Sequence, residues 1–251
     1  MKRFSLFLVC AILALYGCEV KTSVALPTLR PTPPFTDSAI VSSEKVQMTT
    51  SDGVKLKGTI YGDGEVGVIL AHMGLDNVSQ ESWQPFASEL AGLGYSSLTF
   101  DFRGRGLSEG PFISSNLKLD VDAAVSYLRE RGVKKIICIG ASMGGTACLR
   151  SVIDNQLDGL VMIASPFSVG SPTYTSPYEL DDLTIPTLFI TATNDPYSNE
   201  IDMKVMAAKA PDPTELVIYD GVSEHGTDLF YTIFGTDLRD RLERYLARFQ
   251  P

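Results

Sequence analysis

The chain has 251 residues, 44% hydrophobic and 20% charged, which suits one α/β domain with a full core or at most two small ones. Its 21 basic and 30 acidic residues leave a net charge of −9, and no block of Lys or Arg occurs anywhere. That balance argues against a nucleic-acid phosphate backbone as partner, which demands clustered cations.

At the N-terminus, Lys2 and Arg3 precede an almost wholly apolar run from Phe4 to Tyr16, too short for an ordinary transmembrane helix and suited to an export signal. The run ends in Leu15-Tyr16-Gly17-Cys18, which resembles the bacterial lipoprotein signal, although Tyr16 is bulkier than that pattern usually carries. The resemblance implies cleavage after residue 17, lipidation of Cys18 and anchoring at the cell envelope. A soluble secreted or periplasmic protein cut elsewhere and an uncleaved anchor are the alternatives. From Glu19 to about Ser43 the chain is rich in Pro, Thr and Ser and lacks sustained periodicity, so residues 18–43 read as a lipidated cysteine and a flexible tether. Residues 44–251 form the domain.

The domain opens with two alternating runs, Lys45 to Thr50 and Val54 to Tyr61, joined by Ser51-Asp52-Gly53, a hairpin signature. Val66 to Ala71 is a continuous apolar run, as expected of a strand covered on both faces. Trp83 to Leu93 reads as a helix stopped by Gly94, and Tyr95 to Phe100 as the next strand. Leu117, Val121, Ala124, Val125 and Leu128 keep helical spacing. Further strands are expected at Lys135 to Ile139, Leu160 to Ala164, Thr187 to Thr191 and Glu215 to Tyr219, with a closing amphipathic helix carrying Leu238, Leu242, Leu246 and Phe249. Such repetition predicts an α/β fold: a mostly parallel sheet of about eight strands with helices on both faces. Cys138 and Cys148 flank the most informative motif. Their neighbours suggest two small buried apolar residues without a disulfide.

That motif is Gly140-Ala141-Ser142-Met143-Gly144, between a strand and a helix. A G-x-S-x-G run in this setting is a nucleophile elbow, whose glycines Gly140 and Gly144 let a sharply turned serine sit close to its neighbours. A serine nucleophile needs a histidine base, with the order Ser, acid, His in this architecture. The chain has two histidines, and only His225 follows Ser142. Asp195, after the preceding strand, is the expected acid; Asp220 and Glu224 are its rivals. Met143 N–H, together with that of Met73 or Gly74, would form the oxyanion hole. His72 reads as a residue shaping that turn. Asp101 and Arg103, in the loop from Asp101 to Ser108, are expected to hold it by ion pairing or hydrogen bonds.

Taken together, the His72-Met73-Gly74 turn, the Asp101 to Ser108 loop, the elbow, Asp195 and His225 resemble the α/β-hydrolases, nearest the dienelactone-hydrolase-like and small bacterial esterase members. In many members Gly directly follows the His of the oxyanion turn, where this chain has Met73. The resemblance implies a Ser142-His225-Asp195 hydrolase without cofactor, acting through an acyl-enzyme on a small-molecule acyl substrate. Carboxylic esters are expected; thioester or peptide hydrolysis, or a non-catalytic envelope binding module, are the alternatives. About twenty residues, Pro166 to Ile185, stand where many members insert a cap. An open site without a large cap domain is therefore expected, with Phe167, Tyr174 and Tyr178 as pocket candidates.

Overall fold

In a computed structural model, residues 21–25, 42–155, 157–167, 180–181 and 183–251 are described. The hairpin is β2 (Ser43–Thr49) and β3 (Lys55–Tyr61), followed by β4 (Val66–Ala71), α1 (Gln84–Gly92) and β5 (Ser96–Phe100). The chain continues through α2 (Leu117–Glu130), β6 (Lys135–Ala141), α3 (Met143–Asn155) and β7 (Gly159–Ile163). It ends with β8 (Thr187–Ala192), α4 (Glu200–Lys209), β9 (Thr214–Tyr219) and α5 (Gly235–Leu246). Eight strands are those expected from the sequence. A ninth, β1 (Lys21–Ala25), lies within the stretch read as tether and pairs in parallel with β9. Strand pairing along β9 supplies backbone partners that a local reading of composition does not reveal. The remainder of the expected tether, and Cys18, lie outside the described residues.

The sheet order is β1-β9-β8-β7-β6-β4-β5-β3-β2. Only β2 with β3 and β3 with β5 are antiparallel; every other pair is parallel. Strands β4, β5, β7 and β8 are buried along their whole length, the physical meaning of their unbroken apolar runs. Two apolar clusters fill the two faces. One contains Leu117, Val121 and Leu128 of α2 with Ala147 of α3, the other Phe86 and Leu90 of α1 with Leu238 and Leu242 of α5. Strand order reverses between β4 and β6, so the crevice beyond their carboxyl ends is where this architecture places ligands.

The two cysteines correct an expectation. Cys138 of β6 and Cys148 of α3 are fully buried, but they form a disulfide, with Cα atoms 5.9 Å apart. Helix α3 turns back along the sheet after the elbow. Four strand residues and six helical residues from Ser142 correspond to roughly 13 Å and 9 Å of rise, so the two thiols meet at similar height.

Candidate active site

Register assembles the site before any side chain is considered. Ala71 of β4 pairs with Gly140 of β6, and Ala141 pairs with Ile163 of β7. The turn after β4 therefore lies beside the elbow after β6. Likewise Ala192 of β8 pairs with Tyr219 of β9, so the loops bearing Asp195 and His225 leave neighbouring strands at the same sheet edge.

Ser142 sits between β6 and α3 with φ of 51°, in the left-handed region that non-glycine residues rarely adopt. Its N–H donates to Ile163 O at 2.7 Å, and its carbonyl accepts from Gly145 and Thr146 N–H in the first turn of α3. The glycines are required by close approach. A Cβ on Gly140 would lie 2.3 Å from Gly144 C, and one on Gly144 would lie 2.3 Å from Ala71 O and 2.8 Å from His72 O. A third glycine, which the motif alone did not single out, is equally confined: a Cβ on Gly145 would meet Ser165 Oγ at 2.0 Å.

Asp195 and His225 come together. His225 Nδ1 lies 2.7 Å from Asp195 Oδ2 and 3.0 Å from Oδ1, with the His side chain 3% and the Asp side chain 0% exposed. Ionised carboxylate oxygens only accept, so Nδ1 carries the proton and Nε2 keeps its lone pair. Tyr197 and Ser198 N–H donate to Asp195 Oδ1 at 2.8 and 3.1 Å, fixing the carboxylate from behind. The rival acids are engaged elsewhere: Asp220 accepts from Thr193 Oγ1, and Glu224 accepts from Ser223 N–H. Tyr197, not anticipated from sequence, packs its ring 5.1 Å from that of His225.

The loop carrying His225 is wedged against both the elbow and the turn after β4. A Cβ on Gly226 (φ 56°) would lie 2.8 Å from Met73 Sδ and 3.3 Å from Ala141 Cβ. Farther along, Phe230 packs on Trp83 and Phe86 with ring centroids 5.8 and 5.4 Å apart, tying the loop to α1.

In the turn after β4, Met73 and Met143 are both buried, and a Cβ on Gly74 would lie 3.1 Å from Met143 Sδ. Met143 opens α3, and the first N–H groups of a helix have no intrahelical acceptor. His72 is fully buried; Nδ1 donates to Met73 O at 2.7 Å, and Nε2 accepts from Phe102 N–H at 3.2 Å. That pairing fixes one neutral tautomer, and burial holds the imidazole pKa below its ordinary value. His72 thus braces the turn from beneath, as its place in the sequence suggested.

The following loop is held as expected, though by separate partners. Asp101 accepts from Gln80 N–H, Gln80 Nε2 and Leu107 N–H at 2.9, 3.1 and 3.0 Å. Arg103, 1% exposed, bridges Asp52 of the hairpin turn and Asp120 of α2 at 2.7 and 2.8 Å. Arg103 and Thr50 hold the Asp52 carboxyl well below the usual range, whereas burial pushes Asp120 up to about 6 against the pull of Arg103. Arg105 reaches Gly74 O at 3.4 Å and stacks on Phe112, a contact to the turn after β4 that the sequence did not signal. Of the pocket candidates, Phe167 packs against the core, and Tyr174 and Tyr178 lie outside the described residues. Among the described residues, no group of three or more His, Cys, Asp or Glu is arranged to hold a metal ion.

Among solved structures, the chain is similar to the Pyrococcus furiosus esterase Pf2001, with a TM-score of 0.73 and 21% identity over 84% of this chain and 92% of that one. It also resembles XC6422 from Xanthomonas campestris, described as an α/β serine hydrolase without lid, with a TM-score of 0.67 and 20% identity over 83% and 95%. The fold is that of the α/β-hydrolases. Residues 66–180 match the family model described as serine aminopeptidase, S33. The uncharacterized protein YfhR of Escherichia coli K12 is 29% identical over 139 residues, 51% of this chain and 48% of that protein. The chain thus spans about half the length of this curated relative. The α/β-hydrolase fold positions Ser142, Asp195 and His225 after the carboxyl ends of three strands.

Proposed function

We propose that the protein is a serine hydrolase cleaving carboxylic esters, held at the bacterial cell envelope by a lipid on Cys18. The observation that carries the catalytic reading is the buried His225–Asp195 pair, Nδ1 on both carboxylate oxygens, on a loop whose Gly226 packs against Ala141, the residue before a serine held at positive φ. This arrangement supports His225 Nε2 as base. The esterase description of the structural relative from P. furiosus favours esters, and the disulfide supports export, because disulfides persist in oxidising compartments.

In this reading Ser142 Oγ attacks the acyl carbonyl carbon while His225 Nε2 takes its proton. Asp195 stays ionised and stabilises the imidazolium. The N–H groups of Met143 and of the Met73–Gly74 turn receive the negative charge on the carbonyl oxygen, each donor contributing roughly 3–4 kcal/mol to the transition state. His225 then passes its proton to the leaving alcohol oxygen as the ester C–O bond breaks, leaving an acyl group on Ser142. Water, deprotonated by His225, attacks that acyl carbon. The acid departs, and the proton returns to Ser142 Oγ.

A panel of acyl esters, thioesters and amino-acid anilides tests the reading. The purified chain should hydrolyse esters best, with kcat lowered at least about 10³-fold in Ser142→Ala. Undiminished turnover by Ser142→Ala would rule the mechanism out, and a preference for anilides would move the activity to peptide hydrolysis.

A further inference from the structure

The structure places Lys21 and the loops bearing Ser142, Asp195 and His225 at opposite edges of the sheet. Strand β1 runs parallel to β9, with Lys21 opposite Glu215 and Ala25 opposite Tyr219. Ser142, Asp195 and His225 all follow the carboxyl ends of β6, β8 and β9, whereas Lys21 lies at the amino end. The six residues of β9 separate these edges by about 20 Å. Cys18 precedes Lys21 by three residues, a covalent reach of at most roughly 11 Å, too short to bring a lipid on Cys18 round to the catalytic edge.

A basic pocket lies at the same amino edge. Arg241, Arg244 and Arg248 line a cavity of about 110 Å³ with Leu188, Glu215 and Tyr245. Their spacing of three and four residues places them on one stripe of α5 and its continuation. Arg248 pairs with Glu215, the residue opposite Lys21, and lies over the Tyr245 ring. Arg241 pairs with Asp237 at 2.6 Å. Arg244 is exposed and makes no ion pair among the described residues. In a chain with a net charge of −9, this stripe stands out against the overall charge. An anionic bilayer attracts it and repels the acidic remainder, within a screening length of about 8 Å.

We propose that this pocket docks on anionic phospholipid headgroups of the anchoring bilayer, so that the catalytic edge faces away from the membrane and receives its acyl substrate from the aqueous phase. The inference rests on the reading of Cys18 as the lipidated residue. It adds an orientation and a substrate source to the proposed esterase.

The test uses the full chain, expressed in a bacterium that processes lipoproteins and reconstituted into phosphatidylglycerol-containing or purely phosphatidylcholine vesicles. Intact mass reports acylation of Cys18 independently. A fluorophore is attached through Ala247→Cys, exposed beside Arg248, or Leu107→Cys, 75% exposed in the loop after β5. Nitroxide-headgroup lipid should quench the first at least about threefold more than the second, and the first more strongly in phosphatidylglycerol vesicles. Arg244→Glu should abolish that lipid preference while leaving hydrolysis of a soluble ester unchanged. Quenching at position 107 equal to that at 247 would overturn the orientation, and equal quenching in both vesicle types would overturn headgroup docking. Release of fatty acid from the vesicle's own phospholipid would contradict the aqueous substrate source. An unacylated Cys18 would remove the anchor itself, a failure that the mass distinguishes from the others.

Discussion

Asp195 grips His225 with both carboxylate oxygens, at 2.7 and 3.0 Å from Nδ1, while two backbone N–H groups hold the carboxylate in place. The acid therefore fixes the tautomer as well as the orientation. Asp195→Asn keeps the shape but offers an amide, which can donate to Nδ1 and leave the proton on Nε2, the wrong nitrogen for a base. We predict a loss in kcat on the order of 10⁴-fold with KM little changed. Steady-state kinetics on a soluble ester checks this, and a loss under tenfold would remove Asp195 from the acid's role.

Gly144 and Gly92 give opposite predictions for the same substitution. Gly144→Ala drives a Cβ into Ala71 O and His72 O, backbone atoms with little room to yield. Stability should fall by about 1–3 kcal/mol, and activity by on the order of 10²-fold through displacement of the elbow. Gly92 ends α1, and a Cβ there meets nothing within 4 Å. Gly92→Ala should stabilise by about 0.5–1 kcal/mol. Urea denaturation of the pair measures both.

His72 predicts a pH dependence of stability. Burial lowers its folded-state pKa below the ordinary 6.5, so below that pH the unfolded chain binds a proton that the folded chain resists. Its contribution to stability is full above about pH 6.5 and declines as pH falls. Urea midpoints between pH 7.5 and 5 should decrease, and His72→Gln should flatten that slope while lowering stability at every pH. An unchanged slope in the variant would contradict the assignment.

The Cys138–Cys148 disulfide joins the strand and the helix on either side of Ser142, across a sequence separation of ten residues. On chain-entropy grounds, Cys138→Ala with Cys148→Ala should cost about 2–3 kcal/mol. Dithiothreitol should weaken the wild type similarly and leave the double variant unmoved. Equal stability of wild type and double variant would show that the bond contributes nothing.

The sequence disclosed most of this architecture because buried parallel strands such as β4 and β8 read as unbroken apolar runs and the elbow has its own glycine pattern. It left α4 unnamed, since the exposed Ile201 and Val205 blur the apolar face that Met203, Met206 and Ala207 bury. Strand β1 depends on pairing with β9 across most of the chain, and the disulfide on how sharply α3 folds back after Ser142. The available signal was the short separation of the two cysteines across the elbow, ten residues in all. Tyr197 against His225, and Arg105 on Gly74 O, arise from loop conformations that no local pattern encodes.

Covalent labelling with a fluorophosphonate shows whether Ser142 is the nucleophile that His225 activates. Ser142 Oγ should displace fluoride and form one phosphonyl adduct per chain, mapped to the peptide containing Ser142, slowed at least about 10³-fold in His225→Gln and absent in Ser142→Ala. Labelling that persists in Ser142→Ala, or a folded wild type that takes up no label, would contradict the account.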